Sequence, residues 1–270
     1  MKRLQIATYN IHKGFSQFNR RVMIHELRER LRSLNPDIVF LQEVQGQHAG
    51  HSSAYEDWPG APQHEFLAED VWQETAYGMN SVYTHGHHGN AILSRFPILS
   101  SHNQDISELI FEKRGLLHCE LALPEWDQPL HCVCVHLGLT AAARRRQLAS
   151  LAERMERLAG QDTPLIVAGD FNDWRNSACD LLADRLGLTE VFARNRGRPA
   201  KSYPSTLPVF RLDRIYVRRP AKSYPSTLPV FRLDRIYVRG FEIVRAQVHY
   251  GEPWSRISDH AVLSACVVPR

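Results

Sequence analysis

No apolar run in this 270-residue chain approaches the roughly 20 residues that a membrane-spanning helix requires. The first strand-like run, Leu4-Gln5-Ile6-Ala7, follows the amino terminus almost at once, without the charged, apolar and small-residue regions of a secretory leader. Cysteine is scarce: Cys119, Cys132, Cys134, Cys179 and Cys266 are the five. An odd number without a dense framework argues against a disulfide scaffold and for reduced thiols in a cytoplasmic protein. Cys132 and Cys134 alternate in one strand-like run and point to one face, a spacing that suits core packing better than bridging. Zinc-type Cys/His spacing, a helix-turn-helix pattern and aromatic-basic RNA motifs are all missing. Hydrophobic residues make up 43% of the chain, enough for a substantial core.

A surplus of charge is missing too, once a repeat is taken into account. Arg198 to Arg218 (RPAKSYPSTLPVFRLDRIYVR) recurs unchanged as Arg219 to Arg239. A 21-residue period seen twice is not a solenoid, which stacks several imperfect copies. Perfect identity points instead to an in-frame duplication, natural or engineered, inside a single domain spanning residues 1–270. Each copy carries five basic residues and one Asp, so one copy accounts for the whole chain's net charge of +4. The parent chain is formally neutral, and the basic balance gives no argument for a nucleic-acid partner.

Elsewhere strand-like and helical patterns alternate. Met23, Leu27, Leu31 and Leu34 fall at helical spacing and Asn35-Pro36 stops that helix. Thr140 is placed to cap a helix over Ala141 to Ala159, and Ser177 to Leu186 reads as a short helix ended by Gly187. The stretch from Gln45 to Gln63 reads as a long surface loop, and Arg144-Arg145-Arg146 as a solvated helix face. Arg232 to Val238 and Phe241 to Val248 read as two strands joined at Arg239-Gly240 like a hairpin.

Six short polar boxes follow apolar strand-like runs. They are Thr8-Tyr9-Asn10, Gln42-Glu43, His136-Leu137, Gly169-Asp170-Phe171-Asn172, a Leu-Asp-Arg around Asp213 or Asp234, and Ser258-Asp259-His260. Acids, amides and imidazoles fill cores poorly and are costly to bury. Setting them repeatedly where a buried strand surfaces gathers distant residues into one cleft. Carboxylates and amide oxygens suit a hard divalent cation, and two His suit phosphate contact or proton transfer. The inventory points to metal-assisted hydrolysis of a phosphate ester.

In this order the boxes TYNIH, LQEV, GNAILSRFPI, VHL, GDFN, LDRIYV and SDH resemble those of the endonuclease/exonuclease/phosphatase superfamily, over nearly the full chain. Its YbhP-like bacterial branch similarly carries NIHKGF, GDFNDW and LDRIYV. The resemblance implies a four-layered α/β sandwich of the DNase I type, two mainly antiparallel sheets face to face with helices outside. It implies that Glu43, Asn10 and Asp259 hold Mg²⁺ or Mn²⁺. Asp170 would activate or orient the attacking water, and Asn172 would donate to a phosphoryl oxygen. His260 would meet the scissile phosphate, oriented by the Leu-Asp-Arg carboxylate, and His136 would stabilise the transition state or protonate the departing oxygen. Arg114 and Asn90 would add phosphate contacts.

The Leu-Asp-Arg box departs from the family because two copies compete. The copy in place should be the one that keeps the tight connection into the next strand, which favours Asp234 over Asp213 and leaves the first copy as an excursion. Its β-prone segment could add to a sheet edge or exchange between subunits, so a strand-exchanged dimer stands beside the simpler monomer. Trp174 is placed to stack on a base, a sugar or a lipid headgroup, or to pack in the core. Two functional classes remain: a phosphodiesterase acting on nucleic acid or a phospholipid headgroup, and an impaired phosphate-ester-binding relative whose His-orienting Asp was displaced by the duplication.

Overall fold

The computed structural model describes residues 3–16, 21–109, 111–173, 177–192 and 233–270. The first copy of the repeat, Asp213 and Trp174 lie outside the described residues. The first sheet contains β1 (Leu4–Asn10), β2 (Ile38–His48), β3 (Glu74–Tyr83), β4 (Gly86–Ser94), β11 (Phe241–His249) and β12 (Val262–Pro269), in the order β11-β12-β1-β2-β4-β3. The second contains β5 (Ile98–Asp105), β6 (Gly115–Leu121), β7 (Leu130–His136), β8 (Leu165–Asp170), β9 (Thr189–Glu190) and β10 (Asp234–Arg239), in the order β5-β6-β7-β8-β10-β9. Each sheet holds one parallel pair in an otherwise antiparallel array, β1 with β2 and β7 with β8.

Alternation of side chains builds the layers. Ile6, Ile38, Phe40, Cys132, Cys134, Ile166, Ala168 and Ile236 face inward and fill the space between the sheets. Their in-between neighbours face out. Ala7, Val39 and Leu41 pack under α1 (Ile24–Leu34) and α3 (Gln63–Ala68), while Val133, Val135 and Val167 pack under α4 (Ala141–Leu158) and α5 (Ser177–Leu186). Strands buried on both faces explain why the runs read as continuous aliphatic stretches. Helix boundaries follow their caps: Asn35 closes α1 in the left-handed region, Thr140 Oγ1 accepts from the Ala143 amide at 3.2 Å, and Gly187 follows α5 at φ 63°. Among the described residues no helix is long and apolar enough to cross a membrane.

Three expectations change. The stretch from Gln45 to Gln63 is not one loop, because β2 runs on to His48 and α2 (Ala49–Ala54) follows. Arg144 is buried rather than solvated: its Nη1 donates to the Gly138 and Leu139 carbonyls at 3.1 and 2.6 Å, tying α4 to the loop after β7, while Arg145 and Arg146 remain exposed. Arg239-Gly240 is not a hairpin. β10 belongs to the second sheet and β11 to the first, so the chain changes sheets at Gly240, whose φ of 82° suits glycine. Local sequence marks a reversal there but not which sheet receives the next strand.

The β7–β8 pairing is close at Gly169, the register partner of Val135. Its φ is 145°, and a Cβ at that position would overlap the Val135 carbonyl oxygen. Gly169→Ala should therefore lower stability by about 2–5 kcal/mol, whereas Gly60→Ala, in open space, should stay within about 0.5 kcal/mol of the parent. Thermal unfolding of the two variants checks this, and equal melting temperatures would contradict the close approach.

Candidate active site

β1, β2, β7 and β8 run toward one edge of the sandwich and β10 and β12 run away from it, so the polar boxes meet there. Asp170 closes β8 opposite Asp234, which opens β10, and His260 stands just before β12 in the other sheet. His260 Nδ1 lies 2.8 Å from Asp234 Oδ2, and its Nε2 lies 3.8 Å from Asp170 Oδ2. His136 Nε2 approaches the same Asp170 oxygen at 3.6 Å. Asn10 Nδ2 donates to Asp170 Oδ2 and to Glu43 Oε1, both at 3.3 Å. The Asn172 amide donates to Asp170 Oδ1 at 2.9 Å. Every one of these carboxylates, amides and imidazoles is buried except Glu43 and Asp259, which are partly exposed.

Backbone strain concentrates at this edge. His12, Lys13, Glu43 and Asn172 have φ of 46°, 56°, 55° and 47°, and they make up most of the seven non-glycine residues with positive φ among the described ones. Each such conformation costs about 1–3 kcal/mol and persists only where the surroundings impose it. At Glu43 the β2–β4 register shifts between Leu41 and Val44, a bulge that re-aims one side chain out of the ladder. The left-handed run His12-Lys13-Gly14 turns the chain back, so that Lys13 Nζ sits 3.7 Å from Glu43 Oε2 and His12 Nδ1 sits 3.6 Å from Asp259 Oδ1.

Charge follows from these neighbours. Burial alone would raise the Glu43 carboxyl, but His136, Lys13, His12 and the Asn10 bond outweigh it and hold it at about 2. Burial and the nearby Asp234 push Asp170 up to about 6, against the pull of His260. Burial would lower the His260 imidazole, yet Asp234, then Asp170 and Asp259, push it up to about 10. Burial and Arg114 hold His136 well below the usual imidazole range. One imidazole is thus cationic between carboxylates while the other is neutral.

A sequence pattern of the endonuclease/exonuclease/phosphatase family matches residues 7–260. The chain belongs to this family. The protein YbhP of Escherichia coli K12 is 50% identical to it over 214 residues, 79% of this chain and 84% of YbhP. Among solved structures, a family member from Beutenbergia cavernae matches with a TM-score of 0.71 at 18% identity, covering 100% of this chain and 72% of that one. The mannosyl-6-phosphatase Bt3783 of Bacteroides thetaiotaomicron matches at 0.68 with 16% identity, covering 98% of this chain and 99% of the other. A humanized TDP2 from D. rerio matches at 0.67 with 17% identity, covering 98% and 99%. These likenesses establish the α/β sandwich, and family membership places the chain among phosphoester hydrolases.

Of the residues singled out from sequence, Asn10, Glu43, His136, Asp170, Asn172, Asp234, Asp259 and His260 come together at the edge. Asn90 does not offer a donor there: its Nδ2 bonds the Gly115 carbonyl at 2.9 Å and reaches the Cys134 carbonyl at 3.4 Å, which makes it a bracket between the sheets. Arg114 adjoins the site, but its Nε bonds the Leu137 carbonyl at 3.0 Å and its Nη2 bonds Glu112 at 3.0 Å. His12 and Lys13 were not singled out; Gly14, needed at φ 76°, was the available signal of a left-handed turn. Arg235 and Asp173 were also missed. They form a fully buried pair that pins the turn after Asn172 to β10.

The duplication has not stripped His260 of a carboxylate, because Asp234 stands on its Nδ1. Asp234→Asn should therefore lower hydrolysis by about 10²–10⁴-fold, and Asp213→Asn should leave turnover within about twofold, since Asp234 already holds the place beside His260. Steady-state rates of the two variants check this; a silent Asp234→Asn with an inactive Asp213→Asn would put the first copy in the sheet instead.

Proposed function

We propose that the protein is a divalent-metal-dependent phosphodiesterase that hydrolyses a phosphate ester by in-line attack of water, acting on nucleic acid or a phospholipid headgroup. One observation carries the reading: Asp170 is the meeting point of His136, His260, Asn10 and the Asn172 amide. A carboxylate so surrounded can orient a water and accept its proton while imidazoles and amides receive the negative charge of the phosphate. Similar structures include a phosphatase and a TDP2 complexed with a single-stranded DNA product, which supports phosphate-ester chemistry for this chain.

The donor set fits a hard cation. Glu43 stays anionic, is thrust out of its strand by a bulge, and is faced by Lys13, a positive charge of the kind a cation would replace or join. Glu43 and Asp259 would hold Mg²⁺ or Mn²⁺. Asn10 would join them through Oδ1, which now accepts the His12 amide at 3.2 Å. When bound, the cation neutralises phosphate oxygens and leaving-group charge.

The chain's own groups do the rest. Asp234 accepts from His260 Nδ1, which fixes the ring's orientation, favours its charged form and aims Nε2 at the cleft as a donor to the phosphate. Asn172 spends one amide hydrogen on the Leu137 carbonyl at 2.8 Å and keeps the second for a phosphoryl oxygen. His136, neutral and buried, donates from Nε2 to the departing oxygen or to the developing charge. Asp170 holds the water.

Glu43→Gln removes one ligand charge without changing shape. Hydrolysis of bis-p-nitrophenyl phosphate should require added Mg²⁺ or Mn²⁺, cease with EDTA, and fall by about 10²-fold or more in this variant at limiting metal. Melting temperature should be unchanged. Near-normal metal-dependent activity in Glu43→Gln would remove Glu43 from the site. Metal-independent hydrolysis by the parent would overturn the proposed class, and plasmid DNA, RNA and phospholipid in the same assay separate the substrates.

A further inference from the structure

A second group of ligating side chains lies outside the cleft. His118 and Glu120 are on β6 and His131 is on β7, and Glu120 is the register partner of His131. His118 stands two residues from Glu120, so alternation puts all three on one face. That face carries Val133 and Val135 and turns away from the sandwich interior. His131 is separated from His136 by the length of β7, roughly 16 Å at strand spacing, so the group is distinct from the catalytic edge. His118 Nε2 meets His131 Nδ1 at 2.9 Å with the rings nearly parallel, 3° apart. With the Glu120 carboxylate, the three ligand atoms lie within 4.8 Å of one another. His118 is wholly buried and its other ring nitrogen, Nδ1, has no hydrogen-bond partner. On the neighbouring strand, exposed His102 is the register partner of His118 and shares its face. Three adjacent strands therefore present three imidazoles and one carboxylate together.

We propose that His118, Glu120 and His131, with His102 alongside, form a second metal site that takes a borderline divalent ion such as Zn²⁺. Two imidazoles and a carboxylate are the donor set of that ion, whereas the all-oxygen set at the catalytic edge suits Mg²⁺ or Mn²⁺. Ligand atoms around a tetrahedral Zn²⁺ stand about 3.3–3.5 Å apart. The His–His contact needs to open by a few tenths of an ångström, and Glu120, half-buried at the rim, swings in. His102 or water fills the fourth position. Such an ion would clip β5, β6 and β7 together under α4, as a structural rather than a catalytic site.

The test uses the full chain stripped with EDTA and titrated with Co²⁺ as a spectroscopic stand-in, then with Zn²⁺ against a chromophoric chelator. The parent and Glu43→Gln should both show tetrahedral Co²⁺ absorption and a Zn²⁺-dependent rise in melting temperature. Glu120→Gln and His131→Asn should lose the absorption and the rise, with affinity weakened at least about tenfold. Glu120→Gln is isosteric at a half-buried position and should keep the parent's metal-free melting temperature, so its loss of binding is not a loss of fold. Co²⁺ uptake by Glu120→Gln equal to that of the parent would overturn the proposal. So would uptake by the parent that Glu43→Gln abolishes entirely, because the ion would then belong to the catalytic edge.

Discussion

The hydrogen bond between His260 Nδ1 and Asp234 Oδ2 joins the two sheets at the place where the site is built. Asp234 opens a strand of one sheet and His260 precedes a strand of the other, so the 2.8 Å contact spans the sandwich edge. Asn10 and Asp170 make a second crossing beside it at 3.3 Å. An apolar interface of Ile, Leu, Val, Phe and Cys side chains brings the sheets together without specifying how their edges meet. Directional bonds between buried polar groups specify it, because an unpaired buried carboxylate or imidazole costs more than the pair gains. Folding and catalytic geometry thus share one set of contacts.

Those contacts hold unfavourable conformations. A glutamate, a histidine, a lysine and an asparagine sit in the left-handed region around the cleft, and only the surrounding packing keeps them there. The buried Arg235–Asp173 pair and the Arg144 bonds to the loop after β7 are such supports. They touch no proposed substrate. They fix the turn that carries Asn172 and the loop that follows His136, which is how a polar site is preorganised before any ligand arrives.

Much of this was legible in the sequence, and the reason is physical. The polar boxes carry the family resemblance that implied the fold, and they gather because β1, β2, β7 and β8 run toward one edge while β10 and β12 start from it. Caps at Asn35, Thr140 and Gly187 were legible because their chemistry is local. What depends on tertiary placement was not. Nothing local distinguishes a hairpin at Arg239-Gly240 from a change of sheet, and Asp234 occupies its place for a reason other than the hairpin that favoured it. Arg144 looks like its exposed neighbours until the carbonyls of Gly138 and Leu139 are seen beneath it. Asn90 carries a family motif yet bonds backbone across the sheets. The roles of His12 and Lys13 depend on a left-handed turn that Gly14 alone hints at.

The central claim is that Asp234 acts through His260 rather than beside it, and a double-mutant cycle measures that directly. Single-turnover hydrolysis of bis-p-nitrophenyl phosphate would be compared across the parent, His260→Ala, Asp234→Asn and the double variant. If the carboxylate serves only to orient and charge the imidazole, Asp234→Asn costs almost nothing once His260 is gone, and the double variant matches His260→Ala. Losses that multiply in the double variant would contradict the account, because they would show two groups acting independently on the substrate.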